Sequence, residues 1–147
     1  MSTNAYPPIS DYPIMDAALL LLPTIDFIEY DDERMIRTAD AVWKDLGEGG
    51  LLRPYPSSDD GLTGTEGAFL PCSFWLTQCL ARQGRVEKAY EVFEQALYTA
   101  NDLGLFSEEY DTKANEMLGN FPQALTHLSL ISAAIALADA EQQKTQQ

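Results

Sequence analysis

The sequence predicts an all-α fold, and three observations lead to that prediction. Five stretches of the chain carry apolar residues at helical spacing. Glycines and proline-rich segments separate these stretches. No segment alternates apolar and polar residues as a half-buried strand would. At 147 residues with 46% hydrophobic content, the chain is expected to form one domain with a core of its own.

The predicted helices follow one another with two long loops between them. The first begins at Pro13 and continues, apolar almost all round, to Leu22. The second begins at residues 31–33, whose negative charges favour a helix N-terminus, and ends at Gly47. Three more are expected over residues 68–83, 85–101 and 122–140. Residues 48–67 and 102–120 are expected to be loops, 1–12 an extended leader, and 141–147 a polar tail that frays.

The spacing of apolar residues also predicts which helix faces are buried. The third helix carries one apolar stripe, and the last helix is expected to bury its large aliphatic residues. The stripe of the third helix consists of Cys72, Trp75, Leu76 and Cys79, and the buried face of the last consists of Leu125, Leu128, Ile131 and Ile135.

Charge and cysteine content exclude several functional classes. Nine basic and 23 acidic residues leave a formal charge of −14, which repels nucleic acid and anionic lipid. The longest apolar run, from Ala17 to Leu22, is far shorter than the roughly 20 residues of a membrane span. With no secretion signal at the start, a cytoplasmic protein is expected.

The two cysteines are expected to be buried, unbridged core residues. On an intact helix Cys72 and Cys79 lie about 10 Å apart along the axis, too far for a disulfide. Because there is no CxxC pair and His127 is the single histidine, no metal site is expected, and no cofactor either.

Residues able to carry chemistry are concentrated on the loops that join helices. Carboxylates, amides and aromatic rings occur there together, which is the combination that a sugar-binding site requires. From the residues alone the function stays undecided. Glu66 is also suited to placing negative charge at the start of a helix, and residue type alone favours Asn120 as a helix cap. The adjacent Glu108 and Glu109 are equally compatible with solvated loop carboxylates.

Three segments of the chain resemble the C-terminal part of bacterial glycoside hydrolase family 15 proteins, which include glucoamylases, glucodextranases and trehalases. They occur in the family's order and span almost all of residues 14–139: LLLLPTIDFIEYDDERMIRTADAV, DDGLTGTEGAFLPCSFWLTQCLARQGRVEKAYEVFEQAL and NDLGLFSEEYD…LGNFPQALTHLSLISAA. The resemblance implies a partial (α/α)6 barrel and hydrolysis that inverts the anomeric carbon with two glutamates.

The resemblance assigns roles to individual residues. Glu108 matches the family's general base, which deprotonates the attacking water. Glu109 and Tyr110 would shape the loop around that base. Tyr55, Asp60 and Glu66 would line a pocket for an α-glucoside or oligosaccharide. The family's general acid lies upstream of everything present here, and Pro54 interrupts the usual Arg-Tyr pair.

The resemblance also implies that this chain is only part of a barrel. About five helices stand where a complete barrel has six pairs, so apolar faces would be left uncovered. A separately encoded N-terminal half, or self-association through these faces, is the expected way of covering them. Two alternatives stay open: a tetratricopeptide-like interaction module, suggested by residues 84–97 although no second copy follows, and a non-catalytic carbohydrate-binding remnant.

Overall fold

A computed structural model of the chain describes residues 14–56 and 67–145, and helices dominate that part of the chain. A 3₁₀ helix over Ala17–Ile25 precedes four α-helices. These are α1 (Glu33–Leu46), α2 (Leu70–Arg82), α3 (Val86–Leu97) and α4 (Ala124–Thr145). The helical fold class is therefore confirmed. The predicted leader, residues 1–12, lies outside the described residues.

Local chemistry explains where the first two helices begin and end. The Asp16 side chain caps the 3₁₀ helix by accepting a hydrogen bond from the amide of Ala18 at 2.8 Å. This segment was predicted as a regular helix from Pro13, but Pro23 lies inside it and removes a backbone donor, which disfavours an α-helical ladder. At α1, Asp32 caps the N-terminus as its charge predicts.

The described residues contain five short strands, so the expectation of no strands was wrong. Four of them lie in or at the edge of the segments predicted to be loops, and the fifth, at residues 68–69, takes the place of the predicted start of the third helix. β1 (Gly47–Glu48) pairs antiparallel with β2 (Leu51–Leu52). β3 (Ala68–Phe69) pairs with β4 (Glu109–Asp111), and β4 pairs in turn with β5 (Glu116–Leu118), all antiparallel. Strands of two or three residues are too short to produce a visible alternation in the sequence.

Helix α2 packs extensively against both α3 and α4, and it also contacts the 3₁₀ helix and α1. Its cysteines are buried free thiols, as predicted. Phe74 is completely buried, and its ring meets those of Phe93 and Phe106 edge-on with centroids 5.9 Å apart. This aromatic cluster connects α2 and α3 to the segment that leads into β4.

The predicted buried face of α4 was wrong. The four residues predicted to be buried are exposed, whereas the buried face consists mostly of smaller residues. The exposed fractions are 43% for Leu125, 62% for Leu128, 54% for Ile131 and 53% for Ile135. The buried residues are Thr126, Ser129, Ala133, Ala136, Leu137 and Ala140. Because α4 is apolar all round, periodicity cannot select the buried side; the small residues allow close approach to α2.

Helix α4 also extends beyond its predicted end at Ala140 and reaches Thr145. Near that end, the Lys144 ammonium contacts Glu87 of α3 at 2.6 Å. This exposed ion pair joins the last turn of α4 to the first turn of α3.

Candidate active site

Glu108 lies where the chain enters the three-stranded sheet, directly before β4. Its backbone amide donates to the carbonyl of Asn120 at 2.9 Å, and its carbonyl accepts from the amide of Leu70 at 3.1 Å. Glu108 is thereby held between the segment preceding α4 and the first residue of α2.

A buried layer beneath Glu108 fixes the backbone of this segment. The Thr126 hydroxyl donates to the Ser107 carbonyl at 2.9 Å, and the Ser107 hydroxyl donates to the Glu109 carbonyl at 2.6 Å. The amide of Gln123 donates to the carbonyl of Phe106 at 2.9 Å. Since Phe106 belongs to the aromatic cluster, the position of Glu108 is tied directly to the core.

The Glu108 carboxylate is clamped at one of its two oxygens. Oε2 accepts hydrogen bonds from the Asn120 backbone amide at 3.1 Å and from Asn120 Nδ2 at 2.8 Å. Gly119 passes so close that an added Cβ would lie 2.9 Å from Oε2. Within the described part of the chain, Oε1 keeps its lone pairs available. Hydrogen bonds to the charged form orient such a carboxylate and leave one oxygen to act.

Asn120 is the residue whose role sequence reasoning missed. Residue type favoured a helix cap, but α4 begins at Ala124, and Asn120 instead holds Glu108, twelve residues earlier. Near the helix start, Gln123 Oε1 accepts from the amide of Leu125 at 3.4 Å. Gly119, with φ at 72°, is a recognisable turn signal, but nothing in the spacing indicates that the amide reaches back to a glutamate.

Glu109 and Tyr110 shape the adjoining strand edge. Glu109 Oε2 accepts a hydrogen bond from the amide of Gly67 at 3.2 Å. Tyr110 pairs with Ala68, and a Cβ at Gly67 would come within 2.7 Å of the Tyr110 carbonyl oxygen. Both residues therefore position the chain at Gly67. The predicted pocket residues Asp60 and Glu66 lie outside the described residues.

Tyr55 and Arg53 lie on the segment after β2. Tyr55 is 45% exposed, and the carbonyl of its neighbour Pro54 accepts a hydrogen bond from the amide of Ala17 at 2.8 Å. The Arg53 guanidinium forms an ion pair with Glu48, whose other oxygen lies 3.7 Å from the Lys113 ammonium. Arg53 is thus ion-paired with a carboxylate of the β1–β2 hairpin that precedes it.

The polar atoms of Asp111 and His127 are involved in local structural contacts. Asp111 Oδ1 accepts from the amides of Ala114 and Lys113, and these hydrogen bonds hold the pKa of its carboxyl below the usual value. His127 Nδ1 lies 2.8 Å from the carbonyl oxygen of Gln123, and its ring meets Phe106 edge-on. Across residues 14–56 and 67–145, no group of three or more His, Cys, Asp or Glu is arranged to hold a metal ion.

This geometry makes Glu108 a suitable proton acceptor. It is a partly exposed carboxylate on a rigid support, with one oxygen saturated by fixed donors. A positioned carboxylate of this kind can take a proton from water. An inverting glycosidase also needs an acid about 6.5–9.5 Å from its base, on the other side of the bond to be cut.

The fold of the described residues corresponds to a portion of a larger helical domain. A solved structure described as a wild-type glycosidase superposes on 94% of this chain and 40% of its own, with a TM-score of 0.75. At 18% sequence identity, this likeness shows a shared fold. The family model described as glycosyl hydrolases family 15 matches residues 5–135 of this chain. The chain therefore belongs to that family.

The curated relatives are trehalases of much greater length. The chain is 43% identical over 143 residues to the trehalase of Thermoplasma volcanium, covering 97% of this chain and 23% of that protein. It is 42% identical over 131 residues to the trehalase of Mycobacterium tuberculosis, covering 88% of this chain and 19% of that one. The sequence therefore spans about a fifth to a quarter of these relatives.

Proposed function

We propose that this chain supplies the general-base part of an inverting glycoside hydrolase that acts on trehalose or a similar α-glucoside. The observation that carries the proposal is the clamp on Glu108. Two donors from Asn120 converge on Oε2, on a backbone held by the core. The substrate class is supported by the trehalase relatives and by the formal charge of −14, which favours a neutral sugar over an anionic substrate.

In the proposed reaction, Glu108 Oε1 accepts a proton from a water molecule. The oxygen of that water attacks the anomeric carbon from the face opposite the leaving group, and the configuration inverts. A carboxylic acid across the bond donates its proton to the departing glycosidic oxygen. At the end of the cycle Glu108 releases its proton to solvent, and the deprotonated acid takes a proton from solvent. We propose that Tyr55, Asp60 and Glu66 contact the sugar.

We propose that the general acid lies outside the described residues around Glu108. We propose that it is contributed by the remainder of a family 15 protein, either in the same polypeptide or as a separately encoded N-terminal half. The isolated 147-residue chain is then expected to release no glucose from trehalose or maltose. Positioned acid–base groups contribute about 10²–10⁴-fold each, so losing one abolishes useful turnover.

The proposal is tested by complementation. The chain is co-expressed with the remaining part of the Thermoplasma volcanium trehalase, from which the matched segment has been removed. Glucose release from trehalose should appear in the co-expressed sample and fall about 10²–10⁴-fold with Glu108→Gln. Glu116→Gln, an exposed carboxylate on β5 of the same sheet, is the matched control and should retain activity.

Two results would contradict the proposal. One is full activity of the Glu108→Gln variant in the complemented enzyme. The other is robust turnover by the isolated chain, which would show that the acid lies within it. Binding of trehalose in calorimetric titration of an inactive complex would instead identify a carbohydrate-binding remnant.

A further inference from the structure

Asn120 and Glu108 are joined by three hydrogen bonds, two of which use the backbone of Asn120. The Glu108 amide donates to the Asn120 carbonyl at 2.9 Å, and the Asn120 amide donates to Glu108 Oε2 at 3.1 Å. The third comes from the Asn120 side chain, whose Nδ2 donates to the same Oε2 at 2.8 Å. Two residues that lie twelve positions apart in the sequence therefore form one hydrogen-bonded unit.

The side-chain bond is not needed to hold the two segments together. Their backbones are already joined by the bond between the Glu108 amide and the Asn120 carbonyl. A second backbone bond, at 2.9 Å, runs from the Gln123 amide to the Phe106 carbonyl. Asn120 is also exposed, so its side chain contributes little packing. The effect of its amide is therefore on the Glu108 carboxylate.

Only one orientation of the Asn120 amide is compatible with this contact. An ionised carboxylate accepts hydrogen bonds and donates none, so Nδ2 must face Oε2 and Oδ1 must point away. Two N–H groups then occupy the lone pairs of Oε2, and a proton could bind there only by displacing one of them. A proton that Glu108 takes up is thereby directed to Oε1.

We infer that Asn120 is a positioning residue for the proposed hydrolysis: its side-chain amide blocks Oε2 and fixes Oε1 as the oxygen that accepts the proton of water. This inference rests on the proposed role of Glu108 as the base. Without the amide, the carboxylate can rotate and exchange its two oxygens. The donor character of the Asn120 side chain is what matters in this role, and its shape is secondary.

The substitution Asn120→Asp separates donor character from shape. Aspartate has almost the same shape as asparagine, but it replaces the N–H donor by a charged acceptor and brings two carboxylates into contact. Asn120→Ala removes the donor without adding a charge. If Asn120 only filled space, aspartate would be the milder replacement. If it positions Glu108, aspartate is the more harmful one.

Asn101 provides a matched control for the added charge. Its Oδ1 accepts hydrogen bonds from the amides of Leu103 at 3.0 Å and Leu105 at 2.8 Å. An aspartate at this position can accept both bonds, so Asn101→Asp adds the same charge without removing a donor that either contact uses. It should lower neither the urea midpoint of unfolding nor the turnover of the complemented enzyme.

The contact itself is tested in the isolated 147-residue chain, where no activity is needed. At neutral pH, Asn120→Asp should lower the urea midpoint more than Asn120→Ala does. Combined with Glu108→Gln, Asn120→Asp should lose most of its effect, because a glutamine amide can donate to the new aspartate. Equal midpoints for the two Asn120 variants, or an Asn120→Asp effect that Glu108→Gln leaves unchanged, would overturn the inference.

The positioning role is tested in the complex of this chain with the remaining part of the Thermoplasma volcanium trehalase. With trehalose, kcat should fall about tenfold in Asn120→Ala and about 100-fold in Asn120→Asp, while KM stays within about threefold. This split is expected because a misplaced base slows the reaction without weakening substrate binding. A raised KM with unchanged kcat would show that Asn120 binds the sugar, and the inference would be wrong.

The outcomes distinguish failure of this inference from failure of the proposed function. If the two Asn120 variants and Glu108→Gln are coupled in stability but the complex of the unaltered chain releases no glucose, Asn120 still fixes Oε1 as the free oxygen and only the proposed reaction fails. If glucose release depends on Glu108 but is the same in Asn120→Asp, the proposed reaction stands and the positioning role of Asn120 is refuted.

Discussion

Replacing Gly119 by alanine tests the clamp on Glu108 directly. Gly119 has φ at 72°, and its new Cβ would meet Glu108 Oε2 at 2.9 Å and Glu108 Cβ at 3.1 Å. The substitution therefore imposes two costs. One is the left-handed backbone conformation of an L-residue, and the other is displacement of the carboxylate from its two hydrogen bonds with Asn120.

Substitution of a second glycine measures the backbone cost separately from the loss of the two hydrogen bonds. Gly104 has φ at 75°, but an alanine Cβ there would meet no atom within 4 Å. Gly104→Ala should destabilise the chain by about 1 kcal/mol, the left-handed penalty less the entropy removed from the unfolded chain. Gly119→Ala carries the same backbone cost and also disturbs two charge-assisted hydrogen bonds at a partly exposed site. We therefore expect it to lower the free energy of unfolding by about 2–4 kcal/mol.

Urea unfolding followed by circular dichroism measures the difference. The free energy of unfolding should fall by about 1–3 kcal/mol more in Gly119→Ala than in Gly104→Ala. In a double-mutant cycle, Glu108→Ala should recover part of that excess, because the carboxylate that collides is then absent. Equal destabilisation by the two glycine substitutions would refute the clamp.

Two further predictions concern the buried support of the site and the core. Thr126→Val leaves the Ser107 carbonyl without its buried donor and should lower the free energy of unfolding in urea by about 1–3 kcal/mol. As a control, Ser132→Ala removes an exposed hydroxyl that is hydrogen-bonded within α4 and should change that free energy little. Burial raises the pKa of the Cys79 thiol to about 12, and it also raises the pKa of the Cys72 thiol. Neither thiol should therefore react with iodoacetamide at pH 8 in the folded chain, while both should react in urea; rapid alkylation of the native protein, followed by mass spectrometry, would contradict this.

The helical class and most helix positions follow from local chemistry, and the sequence alone predicts them. Asp32 begins α1 because a carboxylate caps free amides, and Gly47 follows its last residue. The short strands β4 and β5 do not follow in this way. Glu109–Asp111 is extended because it pairs with Ala68–Phe69, which is distant in sequence, and no local signal encodes that partner.

The sequence by itself determined the family, the fold class and the identity of Glu108 as the candidate base, because these depend on residue types in a fixed order. The tertiary structure alone decided that Asn120 reaches back to hold Glu108, since a hydrogen bond between two loops depends on how their helices pack. It also decided which side of α4 is covered. When a helix is apolar on every side, the shape of its neighbour selects the buried face. Here the buried face of α4 consists of alanines, hydroxyl residues and Leu137, whereas Leu125, Leu128, Ile131 and Ile135 lie outside.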